Sequence, residues 1–294
     1  MLKNYKKHEN QRCCIMIKTV ITAAGKGTRL LPVTKELPKE MMPIFTKYKK
    51  NQRIVLPLLQ FIFEQLYSLK FRDFCLIVGR EKRSIEDHFT PHESFLKELQ
   101  DSQTELISPF YEKLNKSNLM WINQHKPLGF GDAVKKSEKF VGNENFILHA
   151  GDVSIIGKSE HPITRLLKVA ATNKKAAAIL LCKKIKDPKR YGVPKVKKID
   201  NSIYEVLEVE EKPMKPKSNF GILPIYFFKP IIFDCLNEIK PGRGDEYQLT
   251  DAIQLLLNKG EQVLTILLEN DEREIDVGTV ESYKESLEIT YDIN

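Results

Sequence analysis

The sequence predicts an α/β protein in which a mixed, mainly parallel sheet is flanked by helices. Two observations carry this prediction. Short, apolar, β-branched runs alternate along the chain with segments whose apolar residues recur every three or four positions. The chain has 294 residues, which is enough to bury the core of one large α/β domain or two small ones. Such alternation typically places helices on both faces of a parallel sheet.

The elements follow from these patterns in order. Short apolar runs predict strands at 19–23, 74–78, 119–124, 145–150 and 177–182. Helical spacing predicts helices at 57–70, 83–100, 130–139, 161–173 and 246–258. In the first helix, Leu58, Ile62, Leu66 and Leu69 fall on one stripe. Between about 185 and 228, Pro and Lys punctuate short strands, which predicts a small antiparallel subregion before the final helices.

The predicted strands also indicate where a ligand would bind. Ligands on sheets of this kind collect at the carboxyl ends of the strands. Gly25 and Asp152 come just after a predicted strand, and Gln124 ends one. We therefore expect these three residues to lie at one edge of the sheet.

Composition excludes several classes of protein. Hydrophobic residues make up 41% and charged residues 29%, and no window approaches 18 uninterrupted apolar residues, so we expect no transmembrane helix. Residues 1–15 lack an apolar core, so they do not resemble a secretory signal, and we expect a disordered extension ahead of Met16. The five cysteines show no Cys-x-x-Cys spacing, which favours a reducing cytoplasm over a zinc site or a disulfide framework.

The net charge of +8 is concentrated in two segments. The first 15 residues carry four Lys or Arg against Glu9, a net of +3, and residues 183–198 carry eight against Asp187, a net of +7. A nucleic-acid surface usually interleaves aromatic residues with its cations, and only Tyr191 lies in the second segment. We therefore expect no nucleic-acid partner, and a solvated loop or attraction of an anionic substrate explains the charge better.

The segment after the first strand contains the parts of a polyphosphate site. Gly25 and Gly27 lack a Cβ, so a phosphate can approach their backbone N–H groups, and Arg29 and Lys39 can supply fixed positive charge. The segment is not a dinucleotide-binding turn, because Leu30 stands where the third glycine should be, and the chain contains no P-loop. From these residues alone, a plain strand-to-helix turn remains an equal alternative.

A longer pattern resolves this alternative. Ala-Ala-Gly-x-Gly-Thr-Arg at 23–29, followed by Pro-Lys-Glu-Met-Met-Pro-Ile at 38–44, resembles the sugar-1-phosphate nucleotidylyltransferases, and within them the UTP–glucose-1-phosphate uridylyltransferase branch. Further motifs follow in the family's order at 79–89, 127–134, 151–152, 191–193, 210–213, 242–253 and 276–278. The resemblance covers about residues 17 to 288. It implies a Rossmann-like fold, formed as one domain over 16–290, with a nucleotide-binding portion at about 16–184 and a sugar-binding portion with C-terminal helices at about 185–290.

The resemblance also implies a role for each matched residue. The nucleotide-binding set is Ala23, Ala24, Gly25, Gly27, Thr28, Gln124 and Gly129. Arg29, Lys39 and Lys212 would be the catalytic cations, Gly192, Glu211 and Lys212 would bind the sugar phosphate, and Asp152 and Asp276 would hold Mg²⁺. These types suit the chemistry, since Mg²⁺ commonly takes one or two carboxylates and an amide can pair with a uracil or thymine edge. Taken alone, each aspartate could instead cap a turn.

Several other polar residues are given structural roles. His88 and His149 have no Ser or Cys nucleophile at a recognisable spacing, and His88 is expected at a helix end. Asp245 and Glu246 are expected to cap the N-terminus of the helix at 246–258, with a possible second role near the sugar. The chain departs from the family pattern at Pro194-Lys195 and over residues 47–55, where the connection is longer and more basic.

The function that the resemblance implies is transfer of a uridylyl group from UTP to α-D-glucose 1-phosphate, with Mg²⁺, giving UDP-glucose and pyrophosphate. Family members are commonly dimers or tetramers, so a homodimer or homotetramer is expected. Thymidylyl transfer from dTTP, or broad nucleotide use, is the alternative within this class, because Gln124 cannot exclude a C5 methyl group. A non-catalytic sugar-nucleotide sensor is the alternative from another class. It is disfavoured because Arg29, Lys39, Asp152 and Asp276 are all retained. An NAD-binding oxidoreductase is disfavoured by the missing third glycine.

Overall fold

The computed structural model describes residues 17–49, 52–200 and 202–293. The expected extension at 1–15 lies outside these ranges. The strands are β1 (Lys18–Ala23), β2 (Pro43–Lys47), β3 (Arg53–Pro57), β4 (Asp73–Gly79), β5 (Asn118–Gln124), β6 (Phe146–Ala150), β7 (Val153–Ile156), β8 (Ala178–Lys184), β9 (Gly192–Lys198), β10 (Ile203–Glu211), β11 (Phe220–Phe228), β12 (Val263–Leu267) and β13 (Arg273–Asp276). The helices are α1 (Leu58–Ser68), α2 (Arg83–His88), α3 (Glu93–Glu98), α4 (Asp101–Asn115), α5 (Phe130–Lys135), α6 (Glu138–Val141), α7 (Pro162–Thr172), α8 (Ile232–Glu238), α9 (Leu249–Asn258) and α10 (Val280–Ile293).

The central sheet has nine strands in the order β5-β4-β1-β6-β11-β8-β12-β10-β9. Only β11 and β10 are antiparallel to their neighbours on both sides, so the other seven strands share one direction. The predicted mainly parallel α/β class is therefore confirmed. The predicted antiparallel subregion corresponds to β9, β10 and β11, which belong to this same sheet. The division of the domain near residue 184 stays a prediction.

The core lies on both faces of this sheet. Side chains alternate along each strand, so Ile21 of β1 joins one buried cluster while Val20 joins the other. Helix α1 packs on the first face, and α8 and α9 pack on the second. The predicted stripe of α1 is confirmed, since Leu58, Ile62 and Leu66 are at most 1% exposed and Leu69 packs against the same cluster.

Several predicted helix boundaries are wrong. The helix predicted at 83–100 is two short helices, α2 and α3, because Pro91 disfavours helical backbone in the residue before it. The helix predicted at 130–139 is divided between α5 and α6. Helix α4 was not predicted, since within it only Phe110 and Leu114 are buried and Pro109 interrupts its pattern. The five predicted strands are confirmed to within two residues at each end.

The expected acidic cap of α9 is also wrong. This helix begins at Leu249, with Gln248 as its N-cap residue. Asp245 lies in a 3₁₀ turn with a φ of 57°, and Glu246 is extended. Asp251 supplies the acidic side chain of the first turn instead.

Two antiparallel strand pairs complete the described fold. Strands β2 and β3 pair on either side of the longer, basic connection, and Phe45 of β2 packs against Tyr291 of α10, with ring centroids 5.2 Å apart. Strand β13 pairs with β7 so that Asp276 lies opposite Val153, the residue after Asp152. No helix of the described residues is long and apolar enough to span a membrane.

Candidate active site

The loop after β1 carries the residues expected to bind the triphosphate, and we call it the triphosphate end. Gly27 adopts a φ of 67°, a left-handed conformation that favours glycine, and its carbonyl accepts a hydrogen bond of 2.8 Å from Thr34 Oγ1. Arg29 follows within a 3₁₀ turn at Thr28–Leu30. A Cβ on Gly25 would lie 3.3 Å from both Cε and Nζ of Lys39. Glycine at position 25 therefore lets the Lys39 side chain lie against the loop.

Lys39 and Asp152 form an ion pair between this loop and the end of β6. The Lys39 side chain is 14% exposed and that of Asp152 is 18% exposed. Burial opposes the charge on Lys39, but Asp152 and Glu40 outweigh it and hold the pKa of Lys39 above its ordinary value. Burial likewise opposes the charge on Asp152, but Lys39 outweighs it and holds the pKa of Asp152 below its ordinary value. Both groups are therefore charged at neutral pH.

A second ion pair lies beneath the first. Lys82 Nζ donates a hydrogen bond of 2.9 Å to Glu40 Oε2, and the two side chains are 8% and 1% exposed. Burial raises the pKa of Glu40 despite the nearby Lys82 and Lys39. The sequence does not decide the role of Glu40, and this contact of Lys82 was not predicted, although Lys82 belongs to the family motif at 79–89. This pair anchors the 3₁₀ turn that carries Lys39.

Asp276 joins the cluster from β13. Its Oδ1 accepts a hydrogen bond of 2.8 Å from the Gly278 N–H, and the Val277 N–H donates to the Asp152 carbonyl at 3.1 Å. A Cβ on Gly278 would lie 2.9 Å from Asp276 Oδ1 and 3.2 Å from Arg29 Nη2, which places the Arg29 guanidinium beside this carboxylate. Burial and the charge of Asp152 raise the pKa of Asp276.

The two aspartates suit a hard divalent cation. Within the described part of the chain, no group of three or more His, Cys, Asp or Glu residues could hold a metal ion. Mg²⁺ commonly uses only one or two carboxylates and completes its shell with phosphate oxygens and water. Burial, and after it the charge of Asp152, raises the pKa of Asp276, and a bound cation would offset both effects. The donor set of Asp152 and Asp276 therefore fits Mg²⁺.

Gln124 lies at the carboxyl end of β5, as predicted, and is 4% exposed. Its Nε2 donates to Asp132 Oδ2 at 2.8 Å and to the Gly129 carbonyl at 3.3 Å. Gly129 has a φ of 113°, and a Cβ there would lie 2.8 Å from both the N and the O of Tyr247. Glycine is required at position 129 because the Tyr247 backbone lies this close, a contact that the sequence did not predict.

The residues expected to bind the sugar phosphate, which we call the sugar end, lie where β9 pairs with β10. Gly192 lies opposite Glu211, and a Cβ on Gly192 would lie 2.6 Å from Thr250 Cγ2. Thr250 Oγ1 donates to Glu211 Oε2 at 3.1 Å, so α9 holds one oxygen of this carboxylate. Lys212 Nζ lies 3.0 Å from Glu211 Oε1. The Lys212 backbone has a φ of 46°, and its carbonyl accepts a hydrogen bond from Arg243, a contact that was not predicted.

The remaining predicted residues have clear positions. Ala23 ends β1 and is buried, Ala24 follows it, and Thr28 begins the 3₁₀ turn that carries Arg29. His88 ends α2, as predicted, and its Nε2 is bonded to Gln60 at 2.8 Å. Buried His149 is bonded to the Ala150 carbonyl at 2.7 Å, and burial lowers its pKa to about 4. These bonds give both histidines structural roles.

Comparison with known proteins identifies the family. The model of the nucleotidyl transferase family matches residues 18–292. The chain belongs to the nucleotidyl transferase family. A Streptococcus pyogenes protein named UTP–glucose-1-phosphate uridylyltransferase is 37% identical over 253 residues, which is 84% of this chain and 80% of that protein. The family resemblance seen in the motifs is therefore confirmed.

Solved structures of nucleotidyl transferases share this fold. A UDP-glucose pyrophosphorylase solved in complex with UDP-glucose has a TM-score of 0.82 and 27% identity, covering 95% of this chain and all of that one. A UTP-bound enzyme from Acinetobacter baumannii has a TM-score of 0.78 at 23% identity, covering 95% of this chain and 94% of that one, and this likeness concerns the fold alone. The predicted Rossmann-like architecture of a nucleotidyl transferase is confirmed.

Proposed function

We propose that the chain transfers the uridylyl group of UTP to glucose 1-phosphate, giving UDP-glucose and pyrophosphate. The observation that carries this proposal is the cluster of Lys39, Asp152, Asp276 and Arg29 at the carboxyl ends of the strands, in a chain 37% identical to a protein named for this activity. The cluster brings two cations and two carboxylates together where ligands collect on such a sheet. These are the charges that metal-assisted phosphoryl transfer needs.

The chemistry needs no protein nucleophile. A phosphate oxygen of glucose 1-phosphate, already ionised, attacks the α-phosphorus of UTP in line, and the bond from this phosphorus to the pyrophosphate oxygen breaks. Lys39 would stabilise charge at the α-phosphate, and Arg29 would bind the departing β- and γ-phosphates. The ion pair with Asp152 keeps Lys39 protonated and in place before substrate arrives. Catalysis then depends on alignment and on fixed charge.

Asp152 and Asp276 would hold Mg²⁺. When bound, the ion would neutralise phosphate oxygens and act as a Lewis acid. The chain contributes two carboxylates held by neighbouring strands, with Asp276 fixed by the Gly278 N–H. Arg29, beside Asp276, would bring its guanidinium to the same phosphates.

Glu211 and Lys212 would bind the sugar phosphate. A carboxylate can accept hydrogen bonds from two sugar hydroxyls, and an ammonium can neutralise the phosphate. Thr250 fixes one oxygen of Glu211, and glycine at position 192 lets the Thr250 side chain come this close.

Use of dTTP is the second candidate, because no side-chain bond formed by Gln124 senses a C5 methyl group. We also propose a cytoplasmic homodimer or homotetramer. The cytoplasmic location is supported by the described cysteines, which are all buried free thiols: Cys75, Cys182 and Cys235.

Pyrophosphate release tests the proposal. The purified full chain is incubated with Mg²⁺ and UTP, dTTP, ATP or GTP, each with and without glucose 1-phosphate. We expect release with UTP that requires the sugar phosphate and stops when EDTA removes the metal. The rate with dTTP, relative to that with UTP, measures how well the chain performs thymidylyl transfer, the second candidate function. If no nucleotide released pyrophosphate, the proposed enzyme activity would be contradicted, and a sugar-nucleotide sensor would be the remaining interpretation.

A further inference from the structure

The orientation of the Gln124 amide is fixed by two acceptors. Its Nε2 lies 2.8 Å from Asp132 Oδ2 and 3.3 Å from the Gly129 carbonyl. An ionised carboxylate and a backbone carbonyl can only accept hydrogen bonds, so the nitrogen branch of the amide must face them. The oxygen branch therefore points elsewhere. Within the described residues, Oε1 accepts no hydrogen bond. It is also not one of the fully buried polar atoms that lack a partner, so it is accessible at the surface of the site.

Both acceptors are held in place by the surrounding structure. The Tyr247 N–H donates to the Leu128 carbonyl at 2.8 Å, and the Gly131 N–H donates to the Tyr247 carbonyl at 2.8 Å. These two bonds clamp the segment that contains Gly129. Asp132 lies on α5, is 7% exposed, and its Oδ1 pairs with Lys136 Nζ at 3.4 Å. Its second oxygen is thus left for Gln124.

We propose that Asp132 is a positioning residue that sets the pyrimidine selectivity of the site. It holds the Gln124 amide with Oε1 as the group offered to the base. An acceptor in this place pairs with the N3–H of uracil or thymine. It opposes cytosine, whose N3 is itself an acceptor. This inference rests on the proposed function, in which Gln124 faces the base.

The expected selectivity follows from hydrogen-bond chemistry. Turning the amide over would bring Oε1 against the carboxylate of Asp132 and the carbonyl of Gly129, so that two acceptors would face a third. A site built to accept a hydrogen bond strongly disfavours an analogue that cannot donate it. The C5 methyl group plays no part in this pairing. Asp132 therefore makes the site favour UTP and dTTP over CTP, and it does not make the site discriminate between UTP and dTTP.

The test compares three nucleotides on variants of position 132. The ratio of kcat/KM for UTP to that for CTP is measured with glucose 1-phosphate on the full chain and on Asp132→Ala, with dTTP as an internal reference. Removing the carboxylate frees the amide to turn, so we expect the UTP to CTP ratio to fall at least about tenfold. The UTP to dTTP ratio should stay within about twofold, because neither amide orientation reads position 5.

Matched variants separate positioning from folding. Lys136→Ala removes the other partner of Asp132 and keeps its bond to Gln124, so both ratios should be unchanged. Asp132→Asn keeps the volume and offers either a donor or an acceptor, so it should also lower the UTP to CTP ratio, and it replaces the alanine variant if that one does not fold. A purely structural role would lower the Tm without moving the ratio.

The outcomes are distinguishable from failure of the proposed function. A native chain that releases no pyrophosphate from any nucleotide defeats the proposed function. A native chain that is active but uses CTP as well as UTP defeats this inference alone. A folded, active Asp132 variant that keeps the native UTP to CTP ratio also overturns it.

Discussion

The proposed triphosphate end and the proposed sugar end of the site hold similar ion pairs in different surroundings. At the triphosphate end, the side chains of Lys39 and Asp152 are 14% and 18% exposed, and the pair beneath them is nearly fully buried. At the sugar end, Lys212 is 44% exposed, although its partner Glu211 is 15% exposed. A buried pair is screened little by water, so its geometry is strictly held, whereas an exposed cation can move. The comparison indicates a pre-formed triphosphate end and an adaptable sugar end.

Lys39→Ala should have the largest effect. The substitution removes a preorganised cation from the α-phosphate and leaves Asp152 without its partner. We expect turnover with UTP and glucose 1-phosphate to fall by about 10²–10³-fold, the scale of one such electrostatic contact. The measurement is kcat at saturating substrates. Lys35→Ala, in the same loop but with a side chain that is 77% exposed, is the control and should keep native turnover. A Lys39→Ala chain with native turnover would remove the assignment and the contrast between the two ends.

Lys82→Met tests how strictly the buried pair is held. Glu40 would remain in a site where it is 1% exposed, without the ammonium that it contacts at 2.9 Å. Breaking a buried pair from one side costs about 3 kcal/mol of unfolding free energy, because a buried carboxylate loses its partner. Urea unfolding measures this change. The double variant Lys82→Met/Glu40→Gln should recover part of the loss.

An exposed pair provides the control for this prediction. Lys49 and Glu105 are 65% and 62% exposed, so Lys49→Met should leave the unfolding midpoint unchanged. If Lys82→Met were as stable as the native chain, Glu40 would not depend on Lys82, and the triphosphate end would not be anchored as we describe.

The sequence predicted the parts of the site that depend on local pattern. The apolar runs that form β1, β5 and β6 predicted the sheet edge, where residues 25 and 152 come just after a strand and residue 124 ends one, as expected. The family motifs supplied the roles of the charged residues. The acidic cap of α9 was misplaced because Asp245 takes a left-handed turn instead of entering the helix.

The missed contacts join residues that are distant in sequence. Lys82 and Glu40 are 42 positions apart, and Arg243 and Lys212 are 31 apart. Only tertiary packing brings such pairs together, and no periodicity in the chain encodes it. The bond between Gln124 and Asp132 spans just eight positions, but it depends on how β5 turns into α5, which local pattern does not define. Pro91, in contrast, was a readable signal for the division of the helix predicted at 83–100.

Lys212→Met should have the smallest effect and sharpens the contrast between the two ends. Because the Lys212 side chain is 44% exposed and its partner Glu211 is also held by Thr250, its loss should leave the fold intact. We expect KM for glucose 1-phosphate to rise about tenfold, the equivalent of about 1.4 kcal/mol, while KM for UTP stays within about twofold. Initial-rate kinetics with each substrate varied in turn measures both constants. Lys215→Met, an exposed neighbour on the same loop, should change neither. If both constants rose together in Lys212→Met, Lys212 would serve the nucleotide as well, and the sugar end would not be a separate, adaptable part of the site.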